Sequence, residues 1–485
     1  DATIYEGNFK QREKIFIYET KNIFYKESVI IVNLLHFFKV DNIEYAYDSS
    51  SSFVFQLNSL SKEILKRGIQ FLMDSNKLMD ILSPKYEYQR ALNAIEHFKL
   101  LYDMGYIFLE SVDKANTNEV KFEVNGITLF ITEKCNLGCK YCYEKTIKNK
   151  EHMTEEIARK AIDLMVKYSD INNRLYISFF GGEPFLNIKL MKYIIQYCKD
   201  INIYGRTSFS VTTNGTIANS DIINFLKSNN INLLVSIDGL EEIQNKNRPF
   251  LDGRPTFNNV IKNINIFKSN TSSLIINSVI SHDSVDLLNI YKLAREIGII
   301  EYIPSIASSS ENNSQLTLKE VEKILFDSEE IIKIFVNDIL NNQSTTIPNF
   351  IHFAKRLYPQ YKNQYYCNMG IKAFAVVASG EVYPCHRYCN DRTYSLGNIG
   401  QFVPGNKKHY LQYKKLNCDE CWANGLCNGG CMHENSEICS NYGSDLICLI
   451  RKRWCELSLA SYSIIASKKT NKLLDIIGID EVENC

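Results

Sequence analysis

The sequence predicts an α/β protein organised around one parallel sheet, with a small strand-and-helix region before it and a cysteine-rich region after it. Three observations carry this. Between Gly126 and about residue 310, six strand-length apolar runs alternate with helical stretches. Residues 1 to about 115 hold no cysteine, and eleven of the 15 cysteines fall between Cys367 and Cys485. A chain of 485 residues is also long enough for two or three domains with a sizeable core.

In chain order, the first region reads as short aromatic and β-branched strands at 14–18, 35–40, 43–47 and 53–57. Helical spacing of apolar residues follows Ser59, recurs from Tyr88 to Met104, and gives way to a terminal strand at Gly105–Phe108. Three strands followed by helices suggest a winged-helix-like domain over 1–115; a plain capping subdomain fits the same pattern. The next region, 116–310, predicts strands at 127–132, 175–180, 208–213, 233–237, 274–279 and 302–306, with helices such as 155–168, 188–199 and 220–227 between them. Strands joined by crossover helices pair in parallel, either as a doubly wound sheet or as a partial barrel. Functional residues then belong just past the C-terminal ends of the strands. Residues 317–340 read as a long helix inside a linker spanning 311–366. The 367–455 segment reads as loops, and 456–485 as a polar helical tail.

Composition narrows the function. Apolar residues are 45% and charged residues 23%, as in ordinary globular proteins. Lys+Arg and Asp+Glu are both 55, so the net charge is zero, and the electrostatic case for nucleic acid or an anionic membrane as partner falls away. No apolar run approaches the roughly 20 residues of a membrane span. No basic flank with an apolar stretch opens the sequence, so a cytoplasmic location is expected. Clustered cysteines in that setting point to metal rather than disulfides.

The first cluster, Cys135-Asn-Leu-Gly-Cys139-Lys-Tyr-Cys142, directly follows the first strand of the alternating region. Three thiolates at this spacing reach one face of a small inorganic cluster. Zinc sites recruit four ligands, commonly as paired Cys-x-x-Cys units, and no fourth candidate is nearby. A 4Fe–4S cube held by three cysteines leaves one iron for an outside ligand.

With Tyr141 as the aromatic before Cys142, this motif resembles the signature of the radical S-adenosylmethionine (SAM) superfamily. The resemblance spans about 126–310 and implies a partial (β/α)6 TIM-like barrel. Gly181-Gly182-Glu183-Pro184 ends the second strand and is similar to the element that binds the SAM amino group in that family; in isolation it would be a plain turn. Thr213-Asn214-Gly215 ends the third strand. Ser236-Ile237-Asp238-Gly239 ends the fourth and is followed by Arg248, and a Ser and an Arg so placed contact the ribose and carboxylate in relatives. The resemblance implies cofactor contacts from Tyr141, Gly181, Gly182, Glu183, Pro184, Thr213, Asn214, Ser236 and Arg248. It also implies radical chemistry: one-electron cleavage of SAM on the free iron gives a 5′-deoxyadenosyl radical that takes hydrogen from unactivated carbon.

Cys367, Gly380, Cys385, Cys418-x2-Cys421-x5-Cys427-x3-Cys431 and Cys448 resemble SPASM domains, which carry auxiliary iron–sulfur clusters. The resemblance implies Cys418, Cys421, Cys427 and Cys448 at one cluster, Cys367, Cys385 and Cys431 at the other, and three 4Fe–4S clusters in all. Either Cys389 completes the second set or an iron there stays open to substrate. Cys198, Cys439, Cys455 and Cys485 match no ligand position and read as small hydrophobes or incidental thiols.

Anaerobic sulfatase maturases share the architecture but carry Asp after Tyr-Pro-Cys, where this sequence has His386 in Tyr383-Pro384-Cys385-His386-Arg387. His386 reads as a cluster neighbour or as a base. The sequence is more similar to maturases that install Cys thioether crosslinks in ribosomally made peptides, with a winged-helix-like element binding the precursor's leader as an added strand. That likeness implies a precursor peptide as partner, a flavodoxin- or ferredoxin-type electron donor, and coupling of a substrate thiolate on the open auxiliary iron. Carbon–carbon crosslinking, formylglycine formation and a non-enzymatic zinc scaffold are the alternatives.

Overall fold

Alternating aromatic and aliphatic residues fold 35–57 into a three-stranded antiparallel meander of β1 (Leu35–Val40), β2 (Ile43–Asp48) and β3 (Phe53–Leu57). The computed structural model describes residues 35–108, 123–146, 150–271, 273–282, 284–307, 316–343, 345–358, 366–367, 370–389, 391–405, 418–439 and 444–477. The expected strand at 14–18 lies outside them. The chain divides into two compact units, Asp1–Ala115 and Asn116–Cys485.

In the first unit the β1–β2 turn is made by Asp41 and Asn42, both at positive φ (48° and 66°), which suits a two-residue hairpin. Four helices follow: α1 (Ser59–Arg67), α2 (Ile69–Met73), α3 (Ser75–Leu82) and α4 (Tyr88–Asp103). Asn58 and Asp74 cap α1 and α3 by accepting from the amides of Ser61 and Lys77. Leu60, Ile64, Leu72, Leu82 and Ile95 fill a core shared with the sheet. Gly105–Phe108 is not the strand expected. Gly105 and Phe108 take positive φ (74° and 54°), and the Phe108 amide donates to the buried Asp48 carboxylate at 2.7 Å, so a side chain takes the bond a ladder would have used.

The second unit holds an eight-stranded sheet. Six consecutive strands of it, ending at one edge, are β4 (Gly126–Thr132), β5 (Leu175–Gly181), β6 (Thr207–Thr213), β7 (Asn232–Ser236), β8 (Ser273–Ile280) and β9 (Glu301–Ile306), all parallel and adjacent in sequence order. A doubly wound sheet reverses its strand order partway; this one never does, which settles the choice for a partial barrel. The crossovers are α5 (Glu155–Tyr168), α6 (Ile188–Asp200), α7 (Ser220–Asn229), α8 (Glu241–Asn247), α9 (Phe257–Lys268) and α10 (Leu287–Glu296). In α5, Ala158, Ala161, Ile162 and Met165 are buried, the i, i+3, i+4, i+7 stripe that lays a helix on a sheet.

Past β9, α11 (Leu318–Leu340) starts with a capping box between Thr317 and Glu320. The expected linker then contains a further helix, α12 (Pro348–Lys355), with Phe350 and Phe353 buried. Strands β10 (Ala373–Val376) and β11 (Val382–Tyr383) return to the barrel, β10 pairing parallel with β4 and β11 antiparallel with β10. The cysteine-rich segment contributes α13 (Asn424–Cys427) and α14 (Met432–Cys439).

The final stretch departs most from expectation. No boundary falls at 455: α15 runs from Ser444 to Ile477, interrupted at Lys469, and carries Cys448 on its first turns. Its stem is no polar tail, because Leu457, Leu459 and Ala460 are buried and Trp454 donates to Ser328 of α11 at 3.0 Å while its ring sits edge-on against Phe350 of α12. No helix among the described residues is long and apolar enough to cross a membrane.

Candidate active site

The cysteine loop leaves β4 at Thr132 and is gripped from two sides. On one side the Gly182 amide donates to Thr132 and the Glu183 amide to Lys134, at 2.8 and 2.9 Å. On the other, Gly138 and Lys140 donate to the carbonyls of Pro249 and Asn247, and Leu251 to that of Asn136. The first grip explains the paired glycines. Gly181 sits at φ 113°, and a Cβ on Gly182 would fall 2.3 Å from the Lys134 oxygen and 2.6 Å from its carbonyl carbon. A Gly182→Ala variant is therefore expected to displace the cysteine loop and lose most of its iron, whereas Gly205→Ala, which meets nothing within 4 Å, keeps wild-type iron content. Iron analysis after anaerobic reconstitution checks this.

Cys135, Cys139 and Cys142 all line one cavity of about 490 Å³ at the C-terminal ends of the strands. Its floor takes one residue from each barrel strand: Thr128, Ser178, Thr212, Leu234, Asn277 and Ile303. Burial pushes the Cys135 thiol up to about 12 and that of Cys142 to about 11, so cluster assembly here must displace protons.

The expected cofactor contacts divide into two groups. Tyr141, Gly181, Gly182, Thr213, Asn214, Ser236 and Arg248 line the cavity; Glu183 and Pro184 do not. Pro184 is buried at the start of a short turn. Glu183 is wholly buried and ties strand ends together: its carboxylate accepts from the Thr213 hydroxyl at 2.9 and 3.0 Å and from the amides of Asn214 (2.8 Å) and Phe185 (3.1 Å). Burial raises this carboxyl to about 7, although those donors and Arg248 pull it down. Asn214, held in place by Glu183, donates to Asn136 at 2.8 Å and approaches the Cys135 sulfur at 3.8 Å.

Asp238 has a role that its place in Ser236-Ile237-Asp238-Gly239 does not signal. Tyr141 donates to it at 2.5 Å, and Arg248 donates to the Tyr141 oxygen at 2.6 Å while lying 3.6 Å from the other Asp238 oxygen. Burial raises the Asp238 carboxyl, against the pull of Arg248. The Arg248 Nε is buried without a hydrogen-bond partner among the described residues. A cavity with three thiols on one wall and an unsatisfied guanidinium N–H on another fits an iron–sulfur cluster with an anionic small molecule beside it. Also missed were Glu133, Glu144 and Lys150, whose only signal was charge flanking the cysteines. Burial lifts Glu144 to about 8 and leaves its Oε2 unpartnered among the described residues.

The second cysteine region reaches the same cavity. His386 and Arg387, directly after Cys385, line its wall. The His386 ring sits 4.7 Å from that of Phe180 and its Nδ1 lies 3.7 Å from the Cys385 sulfur; burial lowers its pKa to about 3, so the imidazole is neutral. Cys385 acts electrostatically on both Cys431 and Cys389, and Cys418, Cys421 and Cys448 act on Cys427. Cys367 is exposed, and its thiol acts on Arg356. Cys389 is buried with Phe130, Ala375 and Tyr388, its thiol donating to the Cys385 carbonyl at 3.6 Å. Cys198 is fully buried in α6, and Cys455 is fully buried beside Cys427 and Cys421. Cys485 lies outside the described residues.

Residues 129–301 match the Radical SAM superfamily. The chain is 27% identical over 346 residues to the cysteine-type anaerobic sulfatase-maturating enzyme of Clostridium perfringens, covering 64% of this chain and 90% of the relative. It is 30% identical over 192 residues to the radical SAM cyclopropyl synthase TigE of Paramaledivibacter caminithermalis, covering 36% of this chain and 39% of that protein. The structure of histidine-tagged anSMEcpe with bound AdoMet superposes with a TM-score of 0.60 at 22% identity, over 73% of this chain and 98% of that one, and shares the fold. The chain therefore carries a radical SAM domain over residues 129–301 and is a radical SAM enzyme.

Proposed function

We propose that this enzyme modifies a ribosomally made precursor peptide and that the product is a thioether crosslink from a substrate cysteine. Cys135, Cys139 and Cys142 would hold the radical cluster, and Tyr141, Gly182, Asn214, Ser236 and Arg248 would hold SAM in the same cavity. When bound, that pair supplies a 5′-deoxyadenosyl radical able to take hydrogen from unactivated carbon. The chain's own residues orient and enclose. The Arg248 Nε would meet an anionic group, Asp238 and Tyr141 fix the guanidinium, and the apolar lining of Phe180, Leu234, Val279 and Ile303 would keep water away from the reacting carbon. Similarity to a sulfatase-maturating enzyme supports a polypeptide substrate.

The observation that carries the thioether reading is the continuity of the sheet. Because β10 and β11 extend the barrel beside β4, the Tyr383-Pro384-Cys385 turn ends at the cavity wall. A substrate thiolate held at the auxiliary site of Cys367, Cys385 and Cys431 would face the cavity of the radical cluster. Cys389 is buried with Phe130, Ala375 and Tyr388 and its thiol is engaged by the Cys385 carbonyl, and on this we read the auxiliary iron as open to substrate rather than completed by a fourth protein ligand. Formylglycine formation is less well supported, since His386 stands where the maturases carry Asp and a pKa near 3 makes a weak proton acceptor.

Two variants test this. Cys389→Ala is expected to keep full auxiliary-cluster content and crosslinking, and a precursor with its acceptor Cys changed to Ser is expected to give no crosslink and no perturbation of the auxiliary spectrum, with deoxyadenosine still formed. Loss of the cluster in Cys389→Ala would make Cys389 a ligand and rule out direct thiolate ligation at this site.

A further inference from the structure

We propose that Arg387, Glu434 and Arg451 form a buried charge bridge that joins the two auxiliary cysteine sets and sets the potentials of both. The inference rests on reading those sets as auxiliary cluster sites. Arg387 follows Cys385 by two residues; its Nη1 donates to Glu434 Oε1 at 2.9 Å and approaches the Cys431 sulfur at 3.9 Å. The other Glu434 oxygen accepts from Arg451, which follows Cys448 by three residues on α15 and whose charge acts on Cys427. Arg451 also donates to Asn435 at 2.9 Å. Its guanidinium lies over Gly430 so closely that a Cβ there would fall 2.1 Å from Nη1. The three side chains are only 21%, 13% and 8% exposed.

One carboxylate thus sits between two guanidiniums: Arg387 neighbours Cys431 and Cys385, and Arg451 neighbours Cys427 foremost and Cys431 less strongly. Burial alone would raise the Glu434 carboxyl, but Arg451 and Arg387 outweigh it and hold it below the ordinary range. A bridge of this kind is a poor way to gain stability, because desolvating three charges offsets most of their attraction. What it does supply is a fixed net positive charge in a low-dielectric region, felt by both sets. Reducing a cluster by one electron adds one negative charge, so positive surroundings favour the reduced form and raise the potential.

The test is an EPR-monitored redox titration of the full chain, reconstituted anaerobically, as wild type, Glu434→Gln and Arg387→Gln. Removing the carboxylate charge is expected to raise both auxiliary potentials by about 59 mV, a tenfold change in the reduced fraction at fixed poise for one electron. Removing the Arg387 charge is expected to lower the potential of the Cys385/Cys431 site more than that of the other auxiliary site. The cluster of Cys135, Cys139 and Cys142 is expected to stay put in both. Unmoved auxiliary potentials, or an equal shift at all three clusters, would overturn the proposal. So would loss of auxiliary iron in both variants with the third cluster retained, which would make the bridge merely structural. Wild-type protein holding iron for one cluster only would instead end the auxiliary-site reading itself.

Discussion

A variant carrying Cys135→Ala, Cys139→Ala and Cys142→Ala is expected to produce no 5′-deoxyadenosine above background while keeping its auxiliary iron. The three thiols share one loop and one cavity wall, and that loop is positioned by backbone hydrogen bonds rather than by the thiols themselves. Removing the sulfurs therefore deletes the ligands without loosening the barrel. The auxiliary cysteines belong to a separate part of the chain, Cys385 following β11, Cys427 ending α13, Cys431 preceding α14 and Cys448 lying on α15, so their assembly does not depend on this loop. Deoxyadenosine from the triple variant, measured by chromatography after dithionite reduction, would refute the ligand assignment. Iron and acid-labile sulfide in the same samples separate this reading from a zinc scaffold, which would show metal without sulfide.

The second large effect is expected from the first unit. Deleting residues 1–110 is expected to weaken precursor binding by at least about tenfold, roughly 1.4 kcal/mol, and to abolish efficient crosslinking. SAM cleavage without peptide is expected to continue, because every residue lining the cavity belongs to the second unit. The reading behind this is a winged-helix-like element that takes the leader along a sheet edge. Among the described residues, the meander of β1, β2 and β3 leaves β1 and β3 each paired on one side only, and an edge of that kind binds an extended peptide through main-chain hydrogen bonds. Fluorescence anisotropy with a labelled precursor measures the effect; equal affinity in the truncated chain would reduce this unit to a cap.

Much of the barrel was legible because its signals are local. Each of the six strands is a short apolar or alternating run, and helices such as Glu155–Tyr168 and Leu318–Leu340 carry both their caps and their apolar stripe within a few residues. The cysteine loop was legible for the same reason: ligand spacing is a property of adjacent residues. Errors arose where the backbone was satisfied by something distant. Gly105–Phe108 had a strand-like composition, yet Asp48 captured its amide from sixty residues away. The C-terminal helix read as polar because its buried face is covered by α11 and α12, far earlier in the chain.

The sequence by itself determined the order of strands and helices, the three-cysteine loop and the chemistry that loop resembles. Only the tertiary structure decided that Glu183 braces strand ends instead of lining the cavity, that Asp238 and Tyr141 fix Arg248, and that Arg387, Glu434 and Arg451 join the two cysteine sets. The reason is physical. Periodicity and ligand spacing act through neighbours along the chain, whereas a buried charge is defined by its partners in space. Arg387 and Glu434 lie 47 positions apart, and Tyr141 and Arg248 lie 107 apart, so no local pattern records that they meet. Burial makes these contacts consequential, since each charge withdrawn from water requires a partner that only the folded chain can bring.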